Sequence, residues 1–69
     1  MQALSQAVPG SYTIKWMFGI PEVLDIIRKY KIDEGSEITV IQNSGSGLII
    51  SHGEKRIALS SDAATRIQV

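Results

Sequence analysis

The 69-residue sequence predicts a small, mainly β barrel of about five strands with one helix. Two observations lead to this prediction. Five short segments carry apolar residues at every second position, which is the period of half-buried strands, and one segment carries the i, i+3, i+4 period of a helix. Five strands in so short a chain cannot form a two-sheet sandwich, whereas a curled sheet fits and also hides its edges.

The first strand is predicted over residues 11–18, "SYTIKWMF". Its alternation places Tyr12, Ile14, Trp16 and Phe18 on one face and Met17 on the other. We expect Trp16 in the core, with a platform for ligand stacking as the alternative. Residues 1–10 show no clear period and are predicted to be a loose N-terminal segment, which leaves residues 11–69 as the domain.

The helix is predicted to run from about Pro21 to Lys31, between the first two strands. Proline suits the first helical position, where its missing N–H costs nothing. Arg28, Lys29 and Lys31 form the only positive cluster. It either complements the negative end of the helix dipole or forms a phosphate-binding patch. Gly35 is expected in the turn that follows.

A three-strand meander is predicted next, with a hairpin loop over residues 43–47 and a tight turn at Gly53. A serine-capped helical turn over residues 60–65 precedes a last short strand. The residues expected in or around one core are Ile14, Trp16, Ile38, Val40, Leu48, Ile50, Ile57, Leu59, Ile67 and Val69.

The composition argues against several kinds of chemistry. Seven basic and seven acidic residues give zero net charge, whereas a nucleic-acid binder usually has a basic excess. There is no cysteine, and His52 is the only histidine, so we expect no catalytic centre, no cofactor and no tight metal site. His52 is interpreted as an exposed residue at a strand end or as a weak metal ligand. No signal peptide or membrane span is evident, which predicts a cytoplasmic protein without direct membrane insertion.

The spacing of glycine and apolar residues from residue 11 onwards resembles FeoA, the small cytoplasmic accessory protein of bacterial ferrous iron transport. It also resembles the SH3-like domain at the C-terminus of iron- and manganese-dependent repressors. Lys31 and Glu34 depart from the family pattern, since they stand where its turn glycine and proline would be. The positions that match are Gly35, Ile38, Val40, Gly53, Ile57, Ala58, Leu59, Ala64, Ile67 and Val69.

The resemblance implies an SH3-like barrel that docks on the cytosolic GTP-binding domain of the membrane ferrous iron transporter and regulates it. The alternative is a metal-responsive SH3-like regulatory domain without the DNA-binding half of the repressors. Partner contacts are expected at Lys29, Tyr30 and Lys31, because the helix and its turn combine apolar anchors with positive charge. Met17 and Ile49 are the candidates if the partner instead binds the sheet, unless the helix covers that face. The oligomeric state is left open.

Overall fold

The computed structural model describes residues 1–69 and contains six strands and two α-helices. The elements are a 3₁₀ helix at Leu4–Gln6, β1 Gly10–Thr13, β2 Trp16–Met17, α1 Pro21–Lys29, β3 Glu37–Asn43, β4 Gly47–His52, β5 Lys55–Ser60, α2 Ser61–Thr65 and β6 Ile67–Gln68. Strands β1, β3, β4 and β5 form an antiparallel sheet in the order β1-β3-β4-β5, and β2 pairs with β6. The predicted mainly β fold, with a helix between the first strand region and the meander, is therefore confirmed.

The segment predicted to be a single first strand forms two strands, because its hydrogen-bonded partner strand changes between them. Strand β1 pairs with β3, and β2 pairs with β6. At the junction the Ile14 N–H donates to the Ser36 carbonyl at 2.9 Å, and the Ile14 carbonyl accepts from the Gly35 N–H at 2.8 Å. One residue later the Lys15 N–H donates to the Gln68 carbonyl at 2.8 Å. This junction connects the two sheets.

The junction also reverses which side chains face the core. Ile14 and Met17 are both buried, a spacing of three that a continuous strand does not allow. Met17 is only 4% exposed, whereas Trp16 is 52% exposed and Phe18 is 38% exposed. The expectations that Trp16 lies in the core and that Met17 is an exposed partner contact are therefore wrong.

One hydrophobic core joins both sheets and the helices. Of the other predicted core residues, Leu59 is half-buried and the remaining eight are buried. Helix α1 contributes Ile27, with Val23 and Leu24 packed against the core, and does not cover Ile49, which stays exposed on the sheet. The buried residues are Leu4, Ala7, Ile14, Met17, Ile27, Ile32, Ile38, Val40, Leu48, Ile50, Ile57, Ala64, Ile67 and Val69.

The first residues are packed against the barrel, so the expectation of a loose segment over residues 1–10 is also corrected. Leu4 and Ala7 are almost fully buried. Gln2 and Val69 exchange two backbone hydrogen bonds, of 3.0 and 2.9 Å. The side chain of Asn43 holds the same segment from the other side: its Nδ2 donates to the Ser5 carbonyl at 3.0 Å and to the Ala7 carbonyl at 2.9 Å.

One tight turn and one shift in register define the pairing of the meander strands. Between β4 and β5 only Gly53 and Glu54 lie outside the pairing of His52 with Lys55, and Gly53 has a φ of 61°, which glycine adopts without a steric cost. Between β3 and β4 the register shifts after Val40.

Neither α-helix is of a length and hydrophobicity that would let it span a bilayer.

We predict that Met17→Ala destabilises the protein more than Trp16→Ala does, although tryptophan is the larger residue. Removing a buried methionine side chain should cost about 2–3 kcal/mol through lost burial and the cavity left behind. Truncating the half-exposed Trp16 should cost only about 1 kcal/mol, since much of its surface is already in water. Urea denaturation followed by far-UV circular dichroism measures both. If Trp16→Ala were the more destabilising change, the prediction would be wrong and a continuous strand with Trp16 in the core would be favoured.

A second prediction concerns Asn43. Asn43→Ala removes two hydrogen bonds to backbone carbonyls of the N-terminal segment, and also the bond that Asn43 Oδ1 accepts from the Gly45 N–H at 3.0 Å. It should lower the free energy of unfolding by about 2 kcal/mol. Asn43→Asp should be worse at neutral pH, because a carboxylate would face two carbonyl oxygens. Gln42→Ala is the matched control, since Gln42 is the exposed neighbour in the same strand. Equal stability of the Asn43→Ala and Gln42→Ala variants would show that Asn43 does not hold the segment.

Candidate functional site: a groove at the end of helix α1

A groove of about 330 Å³ lies between the end of helix α1 and the β4–β5 turn. The helix side supplies Tyr30 and Lys31, which follow the last helical residue. The turn supplies residues 52–55, His52 to Lys55. Two segments more than twenty residues apart in the sequence therefore form one surface, which we call the helix-end groove.

The helix ends in a conformation that is unusual for the residue that adopts it. The Tyr30 N–H donates to the Ile27 carbonyl at 3.1 Å, and the Lys31 N–H donates to the Arg28 carbonyl at 2.8 Å. Lys31 then has a φ of 61° and is the only non-glycine residue with positive φ. The left-handed region costs an L-residue about 1 kcal/mol or more relative to right-handed backbone. A lysine therefore holds a position that suits glycine better.

The turn after Lys31 uses one of the basic side chains of the helix. Asp33 accepts a hydrogen bond from the Glu34 N–H at 2.8 Å, and its carboxylate lies 3.6 Å from Arg28 Nε. The Glu34 backbone N–H, and to a smaller extent the Arg28 guanidinium, hold the pKa of Asp33 below its ordinary value of 3.8. This is the one ion pair of the structure, so Lys29 and Lys31 have no carboxylate within 4 Å.

His52 is anchored by its ring to the neighbouring strand. Its Nδ1 lies 3.0 Å from the Glu37 carbonyl oxygen, and since a carbonyl can only accept, Nδ1 carries the proton. The ring thus hydrogen-bonds to backbone and not to a carboxylate or a serine hydroxyl, which a catalytic base would need. No group of three His, Asp or Glu side chains converges in a way that could hold a metal ion. His52 is half-buried, although it was expected to be exposed at its strand end.

The predicted contact residues are divided by the structure. Lys29, Tyr30 and Lys31 are all exposed and adjoin or line the helix-end groove. Ile49 is 38% exposed on the outer face of β4, and Met17 is buried. Sequence reasoning did not associate Lys55 with this site, because only the pairing of β4 with β5 brings that residue to the helix end.

An exposed apolar region that the sequence did not predict lies in the segment before helix α1. The rings of Trp16 and Phe18 are 4.9 Å apart between centroids and tilted by 33°, and Ile20 is exposed two residues further on. We call these three residues the aromatic surface. Large aromatic side chains left in water are common at sites of protein contact, so this surface is an alternative docking position.

A further groove of about 370 Å³ lies over strands β1, β3 and β4. Hydroxyl side chains dominate it: Ser11, Thr39 and Ser51 occupy directly paired positions across the three strands. The Ser11 and Thr39 hydroxyls lie 3.4 Å apart and satisfy each other. Of its two apolar lining residues Ile38 is buried and Tyr12 is half-buried, and Glu37 is its only charged residue, so we interpret this face as a solvated sheet surface.

Comparison with known proteins identifies the fold. No family model matches the sequence, and no curated protein matches it. A crystal structure of the iron uptake regulatory protein FeoA superposes with a TM-score of 0.85 at 25% identity, over 94% of this chain and 89% of that one. The manganese regulator SloR (TM-score 0.81, 16% identity) and the metal-dependent transcriptional regulator MtsR (0.83, 13%) match 96% of this chain.

The two regulators are longer proteins. The match covers 32% of SloR and 34% of MtsR, and at these identities it concerns the fold alone. The resemblance that the sequence indicates, to FeoA and to the SH3-like domains of metal-dependent regulators, is therefore confirmed: the chain has the SH3-like fold of FeoA.

Proposed function

We propose that this chain is a small cytoplasmic accessory protein of ferrous iron uptake. It docks on the cytosolic GTP-binding part of a membrane iron transporter and regulates that transporter. The observation that carries the proposal is the similarity to FeoA, at 25% identity and over most of both chains. The metal-dependent regulators share the fold at lower identity.

The surface chemistry supports a role in binding and not in catalysis. The helix-end groove combines an aromatic ring with lysine side chains that have no ion-pair partner. His52 is hydrogen-bonded to a backbone carbonyl, and serine hydroxyls serve the fold: Ser60 Oγ accepts from the Ala63 N–H at 3.2 Å as the cap of α2. These features suit a protein that regulates another protein by binding to it.

A metal-responsive regulatory domain is the alternative function, and the similarity to SloR and MtsR favours it. Titration with ferrous or manganous ions separates the two functions. An accessory protein that works by docking should bind these ions only weakly, through His52, because a single imidazole without further converging ligands cannot hold a metal ion tightly. Submicromolar binding that is lost in His52→Ala would favour the regulatory domain.

We place the docking surface at Lys29, Tyr30 and Lys31. Their exposed side chains provide an aromatic anchor flanked by positive charge, the mixture typical of a modest, transient interface. The aromatic surface and the exposed Ile49 are the competing positions.

The test is binding of the purified chain to the cytosolic GTP-binding domain of the host's ferrous iron transporter. We expect binding that weakens with salt, because unpaired lysines attract the partner at long range. The double change Lys29→Glu and Lys31→Glu should weaken binding at least tenfold, which corresponds to about 1.4 kcal/mol, and should reduce its dependence on salt.

The matched control is the double change Lys15→Glu and Arg56→Glu. It reverses the same amount of charge at two exposed residues that do not line the groove. It should leave binding nearly unchanged, and circular dichroism checks that both variants fold. Binding that survives the first variant but is lost in Trp16→Ala or Ile49→Ala would move the interface to the aromatic surface or to the sheet. Absence of any binding by the unmodified chain would contradict the proposed function.

A further inference from the structure

The helix-end groove has a local charge that the neutral composition conceals. Lys31 and Lys55 line it, Lys29 adjoins it, and Glu54 is its only carboxylate. Arg28 does not contribute, because Asp33 binds it. The negative end of the helix dipole offsets part of this charge, so the groove is suited to a carboxylate held by lysine side chains and not to a dense polyanion.

Helix α1, whose end borders the groove, leaves two large apolar side chains exposed on one face, Tyr30 and Ile26. Tyr30 is 41% exposed, and Ile26, four residues earlier on the same helical face, is 57% exposed. The core does not cover this face, since the helix buries Ile27 on a neighbouring face. A ligand that reached the lysines would therefore find apolar surface beside them. That combination suits a protein segment and gives little to a free inorganic anion.

The conformation of Lys31 points to the same place. The other five positions with positive φ are all glycine. At position 31 the chain keeps a strained lysine at the lip of the groove, and nothing in the fold requires its side chain, which forms no hydrogen bond or ion pair. Strain that persists at an exposed position without a structural use is typical of functional residues.

We propose that the helix-end groove binds a segment of a protein partner that presents a carboxylate beside an apolar side chain, with the carboxylate held by Lys31 and Lys55 and the apolar side chain packed on Tyr30 and Ile26. This inference rests on the proposed function for the identity of the partner, and it adds the chemistry by which the partner is recognised.

The sharpest test is Lys31→Gly, because stability and binding should change in opposite directions. Glycine relieves the left-handed strain, so the midpoint of thermal unfolding should rise. Loss of the ammonium group should at the same time weaken binding to the transporter's GTP-binding domain about fivefold, the effect of one exposed charge pair. Lys15→Ala, an exposed lysine away from the groove, is the control and should leave binding unchanged. If Lys31→Gly is stabilised and binds as tightly as the unmodified chain, the proposal is wrong.

A second measurement does not depend on the transporter. The ¹⁵N-labelled chain is titrated with a capped Glu-Leu-Glu-Leu peptide, with its Gln-Leu-Gln-Leu counterpart, and with inorganic phosphate. We expect the acidic peptide to shift the backbone amides of Tyr30, Lys31 and residues 52–55 with a roughly millimolar dissociation constant, since so small a ligand has few contacts. The amide peptide should shift them several-fold less.

Each result has a definite meaning. Equal shifts from phosphate and from the acidic peptide would overturn the protein segment in favour of a phosphate-bearing ligand. No shift from the acidic peptide would overturn the inference even where the GTP-binding domain still docks. Peptide shifts at the groove without docking of the GTP-binding domain would overturn the proposed partner and leave the recognition chemistry in place.

Discussion

The structure depends on the backbone hydrogen bonds at Ile14 and Lys15, where the chain leaves one sheet for the other. Ile14 bonds to Ser36 and Gly35 in the turn before β3, and Lys15 bonds to Gln68 beside β6. These bonds join the two sheets around one core. They also hold the segment that follows helix α1, so the position of the helix end is set by the same junction. The two surfaces that we consider for docking lie on either side of this junction: the aromatic surface begins at Trp16, and the helix-end groove lies at the end of α1 before the turn.

The meander could be predicted from the sequence because its information is local. Residues Ile38, Val40, Leu48, Ile50 and Ile57 alternate within strands that pair with their sequence neighbours, and the turn at Gly53 fixes the register between two of them. The N-terminal segment could not be predicted in this way. Leu4 and Ala7 show no period, and their order depends on Asn43, whose side chain reaches carbonyls 38 and 36 residues away in the sequence. An asparagine beside a glycine-rich loop predicts a turn and gives no sign of this long-range contact.

The errors at Trp16 and Met17 have a different cause. A period of two predicts alternating faces only while a strand keeps one partner. Between Ile14 and Met17 the chain changes its pairing partner from β3 to β6, and the alternation of faces shifts by one residue. Met17 therefore points into the core and Trp16 is exposed to solvent. The helix-end groove was half predicted, since Lys29 to Lys31 were recognised as one exposed cluster. The other half, His52 to Lys55, is brought there by tertiary structure alone, and a neutral overall composition cannot show that the fold concentrates lysines at one end of a helix.

The basic side chains have different roles in the fold, and this difference is the basis of the charge recognition that we propose for a domain of zero net charge. Arg28 stabilises the turn through Asp33, where a planar guanidinium suits a carboxylate. The lysines on either side of the groove are left to the solvent, and an ammonium on a flexible stem can reach a ligand without a fixed geometry. Arg28 thus has a structural role in the turn, whereas Lys31 and Lys55 are left available for the recognition that we propose. Lys31 is the position where the structural role and the proposed recognition role conflict: its backbone conformation favours glycine, whereas the proposed recognition favours a positive charge. Glycine at this position would relieve the backbone strain and remove the ammonium group together. Stability and binding are therefore expected to change in opposite directions at this residue.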